Sequence, residues 1–173
     1  AIRLDQITVQ VPGDDEWHSL HALLTETYAW ILTHFGLSDH SIPLTVYEKL
    51  LADTFGLSEL GMRAPSLVAG VVSLVALPLL LRPALGPKAS VVFAWLLAIS
   101  PLHVYYSRYA RPYAPALLCT VLAVIAFDRW RRERKTGWAV LFVAAATLGP
   151  WLHPIFLPFT LAPFVWVAGR RIL

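Results

Sequence analysis

Residues 100–113 read SPLHVYYSRYARPY and lie at the junction of two apolar runs, 89–104 and 112–127, each close to the length that crosses a bilayer. A plain membrane turn needs no arginine, yet this one carries Arg108 and Arg111 among Tyr105, Tyr106, Tyr109 and Tyr113. The planar guanidinium fork suits phosphate, so the stretch reads as the rim of a site for a phosphate-bearing lipid. An aromatic belt with arginines reaching to headgroups accounts for the tyrosines as well. It accounts less well for two arginines on the face that the positive-inside rule disfavours.

Around this stretch the chain is too apolar for a soluble domain: 57% of its 173 residues are hydrophobic and its mean hydropathy is +0.61. The formal charge of +3 is unevenly spread. Nine of the eleven acids precede Arg63, and nine of the fourteen Lys and Arg residues fall in three clusters between apolar runs. That pattern is a membrane topology signal, and it excludes nucleic acid as the partner implied by the basic pI. The lone Cys119 excludes an intrachain disulfide and a cysteine-based metal site. The chain opens at Ala1 with neither an initiator Met nor a signal-peptide pattern, and a basic pair shortly precedes Leu173. It is expected to be part of a longer protein, with a span missing upstream and more downstream.

The hydrophobic pattern predicts an all-α polytopic membrane protein: two amphipathic surface helices followed by about four transmembrane helices. Residues 1–62 form the extracytoplasmic first loop in this reading, and residues 63–173 the bundle. Within the first part, 1–13 is an extended lead-in, 14–35 an amphipathic helix carrying Trp17, Leu20, Leu24, Ile31 and Phe35, and 44–55 a second with Leu44, Tyr47, Leu51 and Phe55 on one side. Spans are expected at 64–81, 89–104 and 112–127. Residues 137–168 would make one helix of roughly 50 Å, too long for a core of about 30 Å, and hold four prolines. Two short spans with a turn near residues 151–154 fit better. All the basic clusters, 82–88, 129–135 and 170–171, then share the cytoplasmic side. The opposite side receives the acidic first loop, the tyrosine-rich stretch and His153.

Three groups could carry chemistry. Asp14, Asp15 and Glu16, followed by His18 and His21, suit a helix start, where acids complement the dipole. One of these carboxylates could equally accept a proton from an acceptor hydroxyl. Asp39 and His40 lie in the break between the surface helices, where both turn chemistry and function are at home. The third group is Tyr105, Tyr106, Arg108, Tyr109, Arg111 and Tyr113. No residue set names a metal site, and no cofactor is called for, with a divalent metal left open. A polytopic transporter or scaffold is the alternative. Transporters place ionisable residues near the bilayer midplane, and the expected spans hold essentially none.

The strings GDDEWHSLH, GLSELGMRAPSLVAG and SPLHVYYSRYARPY, in that order, resemble the GT-C class of membrane glycosyltransferases. The likeness is to bacterial members related to dolichyl-phosphate-mannose–protein mannosyltransferases and aminoarabinose transferases. It implies transfer of a sugar, with inversion, from a polyprenyl-phosphate carrier to a lipid, glycan or protein acceptor outside the cytoplasm. The enzyme would sit in a bacterial inner membrane, this piece alone being inactive. It further implies Asp15 as the base, with Glu16 its neighbour and Asp14 the alternative, Arg108 and Arg111 at the carrier phosphate, and Arg63 as a recurrent arginine. Asp39, His40 and Pro43 keep part of an Asp-x-His-Pro-Pro-Leu string, and Arg108-Tyr109 stands where relatives often carry Gln-Glu.

Overall fold

The computed structural model describes residues 3, 4, 7, 14–34 and 41–172, without the side chains of residues 14, 15, 17–19 and 170–172. Among the described residues every regular element is helical. The first three helices, α1 (Asp14–Thr25), α2 (Tyr28–Thr33) and α3 (Ile42–Phe55), precede the apolar bundle. The single helix expected over 14–35 is therefore two. Thr27 takes an extended backbone and its side chain accepts from the Trp30 amide, capping a new start. The prediction of two surface helices becomes three for that reason. Tyr28 donates to Asp53 at 2.6 Å and Lys49 donates to the Leu23 carbonyl at 2.8 Å, tying α1 and α2 to α3.

The faces differ from the expected ones. In α1 Leu20, Ala22 and Leu23 are buried while Leu24 is exposed, and in α3 Leu44, Thr45 and Glu48 are buried while Phe55 is exposed. Leu20 and Leu23 pack with Met62 and Ala110, joining the first helix to the bundle. Burying two such leucines and a methionine is worth about 1.5–3 kcal/mol each.

The bundle begins with α4 (Glu59–Leu85), longer at both ends than the span expected at 64–81. Ser58 caps it through the Gly61 amide, and Gly86, at φ 83°, ends it. Pro65, Pro78 and Pro83 lie inside it. Apolar surroundings and neighbouring hydroxyls tolerate prolines in such helices, and Ser90 Oγ donates to the Pro78 carbonyl at 2.6 Å.

The second span is bent. α5 (Pro87–Ile99) and α6 (Pro101–Ser107) meet at 61°, because Pro101 cannot continue the hydrogen-bond ladder and Ser100 caps a new helix through the His103 amide. The tyrosine-rich stretch is thus not a simple loop: its first half is α6, and only residues 108–112 are irregular. α7 (Tyr113–Glu133) follows, then α8 (Thr136–Leu152), a 3₁₀ turn Pro154–Phe156 and α9 (Leu157–Ile172). The break at His153 falls in the turn expected near residues 151–154. α4 and α7 are each long and apolar enough to cross a membrane, α5 with α6 makes a third candidate, and α8 and α9 are shorter apolar helices. With Val68, Val75, Trp95, Val140, Val143 and Phe159 exposed along their flanks, the chain is an integral membrane protein.

α4, α7 and α9 run in one direction. Ser66 reaches the Arg111 carbonyl at one end of the α4–α7 pair, while Leu80–Ala84 face Ile125–Arg132 at the other. Small residues allow the close contacts. A Cβ added at Gly70 would lie 2.5 Å from Ser107 Cβ and 3.4 Å from its Cα. That approach needs glycine. Gly70→Leu is expected to wedge α6 from α4 and cost about 1–3 kcal/mol, read as a lowered unfolding midpoint in detergent, whereas Gly169→Leu, in open space, should cost nothing measurable.

Candidate functional site

At the end of the bundle where α4 and α7 begin, three segments distant in sequence meet on one carboxylate. Glu16, in the first turn of α1, is 1% exposed, as is Arg63 in the second turn of α4. Arg63 Nε lies 3.3 Å from Glu16 Oε1 and its Nη2 3.4 Å from Oε2, a side-on pairing. Oε1 also accepts from the Ala110 backbone N–H at 2.7 Å. Ala110 stands between Arg108 and Arg111, so the acid anchors the irregular part of the tyrosine-rich stretch. Arg63 spends Nη1 on the Ile7 carbonyl and on Glu59, 3.6 Å away and partly exposed. A fully buried carboxylate needs this many donors to remain charged.

The irregular segment is held from the other side by α4. Ser66 Oγ donates to the Arg111 carbonyl at 2.7 Å, and the Arg111 amide donates to the Tyr109 carbonyl at 2.7 Å. Arg111 is buried with its guanidinium carbon 5.9 Å from the centre of the Tyr113 ring, while Arg108 is half-buried. Tyr113 packs against Tyr106 at 4.8 Å and against His153 at 5.2 Å, and Tyr105 stacks on Tyr109 at 5.2 Å. Of the candidates, Glu16, Arg63, Tyr106, Arg108, Arg111 and Tyr113 therefore share one end of the bundle with His153. Asp14 and Asp15 lie in the same first turn as Glu16, their side chains not described. Asp39 and His40 lie outside the described residues.

Two features escaped the sequence pattern. Ser41, Thr45 and Glu48 recur at helical spacing and are all buried, so the inner face of α3 is polar, although its leucines drew the expectation. Arg3 crosses from the lead-in to the bend of the second span. Its guanidinium donates to the carbonyls of Leu97 and Ala98 and, at 2.9 Å, to His103 Nδ1. Arginine only donates, so this bond leaves the His103 proton on Nε2. Among the described residues no three His, Cys, Asp or Glu side chains converge as a metal site.

Residues 39–171 match the family model described as dolichyl-phosphate-mannose-protein mannosyltransferase. The chain belongs to that family. The match takes in Arg63, Tyr106, Arg108, Arg111, Tyr113 and His153 and stops short of the acidic turn of α1. At the level of the family, membership implies glycosyltransferase-type activity with a polyprenyl-phosphate-linked sugar donor. Comparison with curated proteins and with solved structures gave no significant match.

Proposed function

We propose that this mannosyltransferase-family chain transfers a sugar from a polyprenyl-phosphate carrier to an extracytoplasmic lipid, glycan or protein acceptor, with inversion, at the end of the bundle where Glu16 is buried. The observation that carries the reading is the 2.7 Å bond from the Ala110 amide to Glu16. It brings the acidic turn of α1 against the segment bearing Arg108 and Arg111, although 94 residues separate the two. Asp15 is one peptide away, its Cα ~3.8 Å from that of Glu16.

The division of labour starts from the burial of Glu16. Glu16 is enclosed and its oxygens are engaged by Arg63 and Ala110, so it holds the segment in place. Asp15 is the base that takes the proton of the acceptor hydroxyl as its oxygen attacks the anomeric carbon. The bond to the carrier phosphate breaks on the opposite face, and Arg108 and Arg111 balance the charge that collects on the departing phosphate. Tyr106 and Tyr113 line the approach, and Asp39 and His40, which precede α3 in the chain, contribute to substrate binding. The extracytoplasmic placement of this end rests on the basic clusters at the other.

The test is a transfer assay of the full-length protein in proteoliposomes with a panel of polyprenyl-phosphate sugars, following release of polyprenyl phosphate. Arg108→Gln with Arg111→Gln is expected to lower kcat/KM for the donor ten- to a hundredfold, the loss of one or two charge-assisted contacts of about 1.5–3 kcal/mol. The KM for the acceptor should be unchanged. Turnover by the double variant equal to that of the parent would remove the arginines from the phosphate site.

A further inference from the structure

The opposite end of the bundle carries a second constellation, unrelated to sugar transfer. Five of the eight residues 128–135 are Arg or Lys and two are acidic. Three depressions there share Asp128, with Arg132 lining two of them and Arg131 lining two. One, about 530 Å³, runs between α4 and α7 along Leu80, Leu81, Ala84, Val124 and Ile125. Another, about 390 Å³, runs between α7 and α9 along Phe127, Ala162 and Pro163. The third, also about 390 Å³, lies between the end of α7 and α9 and is lined by Asp128, Arg131, Arg132 and Trp166. The polar depression thus shares Arg132 with the apolar groove on one flank of α7 and Arg131 with the groove on the other.

We propose that this end of α7 seats one anionic diacyl phospholipid, its phosphate against Arg131 and Arg132 and its two acyl chains lying one on each side of the helix. The charges suit it. Arg131 lies over the Phe127 ring at 6.0 Å and Arg134 over the Trp130 ring at 5.6 Å, and neither has a carboxylate partner among the described residues. Asp128 occupies only Arg132 Nε, at 2.8 Å, in a largely exposed pair of the kind worth little, so the terminal nitrogens of Arg132 are left for a phosphate. Arg129 is turned to Glu133 at 3.0 Å and frames the same groove.

The apolar walls decide between occupants. A soluble anion would leave Leu80, Leu81, Ile125 and Phe127 uncovered, and a single-chain polyprenyl phosphate would fill one flank only. A diacyl lipid covers both, with its charge at the level where polybasic segments meet anionic leaflets. Because these residues stand a full α7 length, about 30 Å, from Tyr113, the site is separate from the one proposed for transfer.

Native mass spectrometry of the purified full chain, equilibrated in detergent with equal amounts of phosphatidylglycerol and phosphatidylcholine of matched chains, tests this. The expected result is one retained phosphatidylglycerol, falling at least tenfold in Arg131→Gln with Arg132→Gln. It should fall also in Ala84→Trp, which fills the α4–α7 groove without touching a charge. Far-ultraviolet circular dichroism reports whether each variant stays helical, and the groove-filling variant and the lipid competition decide the matter should the charge variant unfold. Equal retention of the two lipids would overturn the proposal. So would undiminished retention by the folded variants, or displacement by inorganic phosphate or by a polyprenyl phosphate.

Discussion

Replacing Asp15 with Asn in the full-length protein is expected to lower sugar transfer by two to four orders of magnitude while the protein remains folded in the membrane. The amide keeps the shape of the carboxylate but accepts no proton, so an incoming hydroxyl is left without its base. Structural cost is small by comparison. A negative charge in the first turn of a helix contributes about 0.3–1 kcal/mol, far less than the packing of Leu20 and Leu23 against Met62 and Ala110. The measurement is the transfer assay beside circular dichroism and gel filtration in detergent. Turnover at the parental rate would take Asp15 out of the mechanism. Asp14→Asn serves as the control, with activity expected to stay within a few-fold.

Breaking the buried pair acts differently. Arg63→Met leaves the Glu16 carboxylate enclosed without its guanidinium partner, and removing one partner of a buried pair costs about 3–5 kcal/mol. The lead-in loses its anchor as well, because Arg63 also donates to the Ile7 carbonyl. The expected outcome is release of α1 from the bundle and loss of transfer. Amide exchange should rise in residues 14–25 and 108–112 while that of α7 and α8 stays slow. Adding Glu16→Gln to Arg63→Met should recover part of the stability, since a neutral amide is cheaper to bury and still accepts from Ala110. Unchanged exchange in residues 14–25 on loss of Arg63 would show that packing alone holds the helix.

The two experiments separate a chemical role from an anchoring one. Asp15→Asn changes rate without exchange, whereas Arg63→Met changes both.

Much of this was legible in the chain. Apolar runs of bilayer length, basic clusters between them and acids confined to the first third specify a helical membrane protein, because a backbone in lipid must satisfy its own hydrogen bonds and because basic loops stay on one side. The string SPLHVYYSRYARPY holds Ala110, whose amide meets the buried Glu16. Local rules also explain what was misjudged. The break at Thr27 came from a cap inside an apolar period, and the bend at Ser100-Pro101 from a proline read as part of a loop. Leucines on α3 concealed a buried Glu48, since periodicity ranks residues by polarity and not by what faces them.

By itself the sequence determined class, approximate spans, the sidedness expected of the basic clusters and the family resemblance, for these depend on composition and on spacing within one helix. Only the tertiary structure decided that Glu16 is enclosed, and that it meets Arg63 and the Ala110 amide. Those partners lie 47 and 94 residues away, and no local pattern carries such a distance. Burial is the reason, because a carboxylate taken out of water persists as an anion only where the rest of the fold delivers donors to it.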